Sequence, residues 1–375
     1  HLFILGFKLM KKINIFLFLC VCFSHIIFSF FSQHKSISLN ENRVLADIPE
    51  IKADYVDYFD AWKSYINDQF FLREKLLFSY SYMSYFLFNK SISQNCLIGR
   101  DGWFFLGDDS SRKYFMNTDS FSSSELLEWK NHLERKKVLA SKFDIPYVFI
   151  ISPNKETVYP EFYPEHIKKI NKSSLLDQLH AFMSNSSYNL FNFTDILANQ
   201  KIPTYFKTDH HWNEYGAYIA ASYAIKTFNS FKPLYKLHSY NFKNKIMPGG
   251  DLINGLKLNK YISENYFYYP VINTNVSCQE EIIEIPGIIR TKNHQTIERV
   301  CDNESDKTLI IFQDSFGLYF KSFFDKNFKK VIYIWDYPSI STMNLIIELF
   351  SPSAIIEQRV ERHLKSFPPT DVSGL

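Results

Sequence analysis

Short, uninterrupted apolar runs separated by helical patterns constrain this chain more than any other feature. Pro146-Tyr147-Val148-Phe149-Ile150-Ile151, Leu309-Ile310-Ile311-Phe312, Lys330-Val331-Ile332-Tyr333-Ile334-Trp335 and Ala354-Ile355-Ile356-Glu357 are four such runs. A strand with one wet face alternates apolar and polar residues, whereas a run that is apolar throughout is buried on both faces, as in a parallel sheet covered by helices. Between them, Glu125 to Phe143 reads as a helix whose acidic N-terminal half and basic Arg135-Lys136-Lys137 complement the helix dipole. Gly99-Arg100-Asp101-Gly102-Trp103-Phe104-Phe105-Leu106 joins a glycine-flanked turn to an apolar strand. The alternation predicts an α/β domain with a mainly parallel sheet flanked by helices, in which ligands gather beyond the carboxyl ends of the strands.

With 375 residues, 46% of them hydrophobic, the chain is long enough to bury a large core. Lys+Arg at 42 against Asp+Glu at 39 gives a formal charge of +3, without the basic stripe that nucleic-acid binding needs. At the N-terminus, Lys8, Lys11 and Lys12 precede an almost uncharged run from Ile13 to Phe31, with Met10 as an internal start. That length approaches a membrane span, and no small-x-small cleavage site precedes Gln33, which favours a signal anchor in residues 1–32 over a cleaved signal peptide. The flanking lysines place the remaining chain outside the cytoplasm, anchored to the inner membrane and exposed to the periplasm.

Residues 33–50 read as a linker, and a single domain is expected over 51–375. Tyr55, Phe59, Trp62, Tyr65, Ile66 and Phe70 recur at helical spacing and predict core packing rather than a glycan groove. In an oxidising compartment Cys278 and Cys301 either pair or remain buried thiols; Cys96 stands alone, and no cysteine spacing suggests a metal site.

Chemistry converges on two segments. Ser315 follows an apolar strand in Gln313-Asp314-Ser315-Phe316-Gly317 and precedes a helical segment from Leu318, where backbone N–H groups can hold an oxyanion. Its bland alternative is a helix cap. The base comes from Thr208-Asp209-His210-His211-Trp212-Asn213: in an extended segment Asp209 and His211 face one another while His210 points elsewhere. Asp209 would orient the imidazole and His211 would take the Ser315 proton. A metal held by Asp209, His210 and His211 lacks a second ligand cluster at suitable spacing, so no metal or cofactor is expected. Asn154 and Lys155, after the strand ending at Ile151, are further candidates for oxyanion or substrate contacts, with Gly317 beside the serine; Tyr159, Tyr319 and Arg362 are weaker ones.

Thr208-Asp209-His210-His211-Trp212-Asn213 with Gly216-Ala217, followed late by Asp314-Ser315-Phe316-Gly317, resembles the AlgJ/AlgX-type alginate O-acetyltransferases, whose domain is SGNH-hydrolase-like. Glu41-Asn42-Arg43, Gly102-Trp103-Phe104-Phe105, Ser152-Pro153-Asn154-Lys155, Tyr159-Pro160-Glu161, Gly250-Asp251-Leu252 and Glu361-Arg362 extend the resemblance in order along the chain. It implies Ser315 as acylated nucleophile, His211 as base and Asp209 as its partner. It also implies a polysaccharide acceptor and a membrane-bound O-acyltransferase as acetyl source. Gln313 departs from the family's usual glycine. Esterase and scaffold roles are the rival expectations.

Overall fold

A parallel arrangement needs crossover connections, and the chain supplies at least one helical segment between successive buried runs. The computed structural model describes residues 12–20, 23, 36–38, 43–50, 55–70, 72–188, 190–268, 276–288 and 294–366. It divides into two compact units, His1–Ile92 with Asn254–Leu258, and Ser93–Ile253 with Asn259–Leu375.

The first unit holds a short antiparallel pair, β1 (Ile37–Ser38) and β2 (Arg43–Val44), and two helices, Tyr55–Gln69 and Arg73–Phe88. The aromatic stripe of the first helix does not close into a core. Trp62 packs edge-on against Tyr58 and Tyr65, but Phe59 is 71% exposed and Ile66 44%. Of the expected export run, residues 12–20 and 23 are helical and exposed; the rest of 1–32, Cys22 included, lies outside the described residues, as do Glu41 and Asn42. Among the described residues no helix is long and apolar enough to cross a membrane.

The second unit contains the hairpins β3 (Cys96–Ile98) with β4 (Phe104–Leu106) and β6 (Lys243–Pro248) with β7 (Ser263–Tyr268). Its centre is a six-stranded sheet of β5 (Tyr147–Ser152), β8 (Cys278–Ile283), β9 (Thr296–Cys301), β10 (Thr308–Phe312), β11 (Lys330–Ile334) and β12 (Ala354–Val360). The order is β5-β12-β10-β11-β9-β8, with the first four parallel and the last two antiparallel at one edge. All four apolar runs became the parallel strands. On one face Trp129, Leu133, Met343 and Ile346 pack against Phe149, Ile310 and Ile332. On the other, Ala217, Ala221 and Phe228 pack against Ile150, Ile311 and Tyr333.

The strand expected to end at Glu357 continues to Val360 through Glu357, Gln358 and Arg359, all buried. A buried carboxylate needs partners, and Glu357 has them: Lys136 Nζ lies 2.6 Å away and Tyr147 Oη donates at 2.7 Å. Cys278 and Cys301 face each other across β8 and β9 and form a disulfide.

Candidate active site

Asp209 and His211 sit between the bridge that pairs Tyr205 with Trp212. Phe206 N–H donates to His211 O (3.3 Å) and Asn213 N–H to Thr204 O (2.9 Å), which folds the segment back on itself. It is therefore a tight turn and not the extended segment expected. Asn213 then caps the helix Glu214–Phe231, its side chain accepting from the N–H groups of Tyr215 and Gly216. Gly216 has no alternative there, since a Cβ would stand 2.4 Å from Thr204 O.

Within the turn, Oδ1 of Asp209 accepts both the backbone N–H of His211 (3.0 Å) and its Nδ1–H (2.7 Å). Burial alone would push the Asp209 carboxyl up; the hydrogen bond and charge of His211, aided by the charge of His210, hold it well below the usual carboxylate range. With Nδ1 committed, Nε2 is left as the acceptor. It is buried and makes no hydrogen bond among the described residues.

The folded-back turn brings in groups that spacing along the chain did not associate. His210 does not point away: its ring lies 3.7 Å from that of His211, and its Nδ1 pairs with Asp251. Asp251 N–H donates to Oδ2 of Asp209 at 3.2 Å, so Asp209 is held at both oxygens. Gly250 permits this approach, because a Cβ would fall 2.6 Å from that of Asp209. From β7, the carboxylate of Glu264 accepts the N–H groups of Lys207 (3.1 Å) and Thr208 (2.7 Å).

Ser315 opens the 3-10 helix Ser315–Phe323 directly after β10. It is not the cap. Asp314 fills that role, its side chain accepting from Phe316 N–H at 2.9 Å, from Val360 N–H at 2.7 Å and from the Tyr337 hydroxyl at 2.9 Å. The Ser315 side chain is thereby left out of the capping network, half-buried at the carboxyl end of a central strand. The two segments meet through Phe316, the next residue. Trp212 Nε1–H donates to Phe316 O at 2.9 Å, and the Phe316 ring lies 4.9 Å from that of His211. Tyr319, one turn on, flanks His211 at 5.7 Å.

Two expected contacts are corrected. Lys155 is 1% exposed and cannot meet an acidic sugar: its ammonium donates to the carbonyls of Phe206 (3.1 Å), Lys207 (3.2 Å) and Asp209 (2.6 Å), and burial lowers its pKa to about 8. It ties down the turn that carries Asp209. Gly317 directs its N–H to Asp314 O at 3.1 Å, so that donor is engaged within the turn. Its missing side chain makes room for Gln313, whose Cβ would lie 2.4 Å from an added methyl.

Asn154 fits its expected place at the carboxyl edge of the sheet. Its N–H donates to Glu361 at 2.9 Å and its Oδ1 accepts from Arg362 at 3.0 Å, while Nδ2 is buried without a partner among the described residues. Tyr159 instead pairs with Thr204, at the base of the histidine turn. Beside Glu361 opens a polar cavity of about 270 Å³ whose lining includes Asn117, Thr157, Asn192 and Asp195. A second cavity of about 660 Å³ lies in the first unit and touches none of these groups.

Asp251, Glu264 and Glu361 join this assembly from 41 to 207 residues away from the partners named here. Gly250-Asp251 and Glu361 stood in the ordered set of resembling motifs without a role attached, and nothing around Glu264 in the sequence signals one.

Residues 96–258 match the family described as ALGX, SGNH hydrolase-like domain, acetyltransferase AlgX. Among solved structures the chain is similar to the O-acetyltransferase domain of Pseudomonas putida AlgJ, at 15% identity over 75% of this chain and 95% of that one, with a TM-score of 0.47. It is similar to Bacillus cereus PatB1 at 13% identity over 72% and 96% (TM-score 0.49), and to Pseudomonas aeruginosa AlgX at 14% over 71% and 61% (TM-score 0.40). No curated protein matches. Residues 96–258, which carry Asn154, Asp209, His211 and Asp251, are thus similar to the AlgX acetyltransferase family, and the chain has an SGNH hydrolase-like α/β fold.

Proposed function

We propose that this protein is an O-acetyltransferase that carries an acetyl group on Ser315 and delivers it to hydroxyls of a polysaccharide. The observation that carries the reading is the buried Nε2 of His211, unpaired among the described residues, left as acceptor by the Asp209 contact and packed on the residue that follows Ser315. In the first half-reaction Ser315 Oγ attacks the donor's acetyl carbon while Nε2 takes its proton. The imidazolium returns that proton to the leaving group, and acetyl-Ser315 remains. In the second half a sugar hydroxyl gives its proton to Nε2 and attacks the acyl carbon; the tetrahedral intermediate expels Ser315 Oγ, which recovers the proton. Asn154 Nδ2, buried and likewise unpaired, is the donor assigned to the oxyanion.

An extracytoplasmic site, on the periplasmic side of the inner membrane, suits a chain with a lysine-flanked apolar N-terminus and the Cys278–Cys301 disulfide, which persists in oxidising compartments. There the acetyl donor would be supplied by a membrane-bound O-acyltransferase.

The test is intact mass spectrometry after incubation with an activated acetyl ester. The native protein gains one acetyl group, Ser315→Ala gains none, and polysaccharide discharges the adduct faster than buffer does. Equal discharge by buffer makes the protein an esterase; absence of an adduct on the folded native protein refutes the acyl-serine route.

A further inference from the structure

We propose that Asp209, His210, His211 and Asp251 form a binding site for a divalent transition metal of the zinc class, and that the bound metal switches the histidine base off. One ligand atom from each of the four, a ring nitrogen or a carboxylate oxygen, lies within 4.8 Å of the other three. The ring nitrogens that face the carboxylates are Nδ1 of His210 and Nδ1 of His211. Two imidazole nitrogens and two carboxylate oxygens form a donor set that suits zinc, cobalt or nickel rather than magnesium or calcium.

Metal–ligand bonds of about 2.1 Å in a tetrahedron separate the ligand atoms by about 3.4 Å. The Asp209–His211 contact is 2.7 Å and the Asp209–His210 contact 4.0 Å. A bound metal therefore widens the shorter contact by under about 1 Å and draws the longer one in by a similar amount. Those shifts lie within side-chain rotation. Elements around the site already orient the ligands. The N–H groups of Asp251 and His211 fix both oxygens of Asp209, and Gly250 lets the two segments touch. Asp251, with a side chain 41% exposed, gives the ion a route from solvent, whereas the other three ligands are 12–16% exposed. Lys155, at the carbonyl of Asp209, adds one positive charge against two ligand carboxylates.

The consequence for His211 follows from its two nitrogens. A metal on Nδ1 needs that lone pair, so the Nδ1 proton moves to Nε2 with no net proton lost from a neutral imidazole. Nε2 then donates instead of accepting and can no longer take the Ser315 proton. Binding itself is independent of the proposed acyl transfer; only inhibition rests on that reading. The remaining grouping of potential ligands among the described residues, Cys278, Cys301 and Asp325, has its sulfurs tied in the disulfide.

Cobalt(II) titration of the chelator-treated protein tests the site without any substrate. One equivalent of Co2+ should bind with the intense visible absorption of four-coordinate cobalt and be displaced by one equivalent of Zn2+. His210→Ala and Asp251→Asn should each weaken binding at least tenfold, with circular dichroism showing that they fold. On the wild-type protein, imidazole 15N resonances should show Nδ1 of His211 metallated and Nε2 protonated. No binding at about 100 µM Co2+, binding that survives both substitutions, or resonances of His211 that do not move would each overturn the site. Saturated metal with acyl-serine formation undiminished would overturn the switch and leave the site standing.

Discussion

His211 Nδ1 stands 2.7 Å from Asp209 Oδ1, and the same oxygen takes the backbone N–H of His211 at 3.0 Å. One carboxylate oxygen thus sets both the tautomer and the ring orientation. An amide at position 209 removes the negative charge that stabilises the imidazolium, and in either orientation it sets its NH2 against a backbone donor, the N–H of His211 or of Asp251. Asp209→Asn is expected to lower the rate of acyl-serine formation about 10^3–10^4-fold. A loss below tenfold in single-turnover acylation would separate Asp209 from the chemistry.

Lys155 reaches three backbone carbonyls of the turn from a site that is 1% exposed. Lys155→Met keeps most of the volume and removes the donors, so the Phe206 and Asp209 carbonyls lose the ammonium and Lys207 O keeps only the N–H of Phe104. Unfolding free energy should fall by about 2–4 kcal/mol, and acylation should slow as the turn loosens. Denaturant titration checks the first effect. A variant of unchanged stability with weaker affinity only for an anionic acceptor would reinstate direct sugar contact.

At Gly317 an added methyl would meet Gln313 at its Cβ (2.4 Å), a position close to the backbone that has little freedom to move. Gly317→Ala should cost about 1–3 kcal/mol. In a Gln313→Gly background the obstacle is gone and the cost should largely vanish. Equal losses in both backgrounds would show that Gln313 is not what requires the glycine.

Glu156 is 2% exposed, and burial raises its pKa to about 8, with Oε1 lacking a partner among the described residues. Glu361 nearby is raised to about 7 by burial. An acid whose folded pKa lies above its unfolded value contributes stability below the unfolded value, about pH 4.5, and loses it as pH rises through the folded one. Both groups therefore weaken the fold between about pH 4.5 and 8. Glu156→Gln stays neutral, and its stability advantage should grow from about pH 5 to about pH 9 and reach on the order of 1–3 kcal/mol. A difference that does not vary with pH, measured by thermal melts across the range, would contradict the buried neutral carboxyl.

The four parallel strands were legible because burial on both faces demands an unbroken apolar run, a requirement local to each segment. The Asp209–His211 pair was legible because two residues of separation fit a carboxylate to an imidazole. The conformation that joins them was read incorrectly: a turn and an extended segment can both bring residues i and i+2 together. Only the turn also brings His210 against His211. The end of β12 was missed because Glu357, Gln358 and Arg359 look like a surface, and the burial of Glu357 depends on Lys136 and Tyr147 from distant elements.

The amino-acid sequence alone determined the layered α/β architecture, the Asp209–His211 pairing and the placement of Ser315 after a central strand. Each depends on periodicity or spacing within a few residues. Tertiary structure alone decided that Asp251 and Glu264 brace the turn, that Lys155 is sealed beneath it and that Asn154 meets Glu361 and Arg362. These depend on which loops converge at the sheet's carboxyl edge, and partners 42 to 208 residues apart leave no local pattern from which the contact can be read.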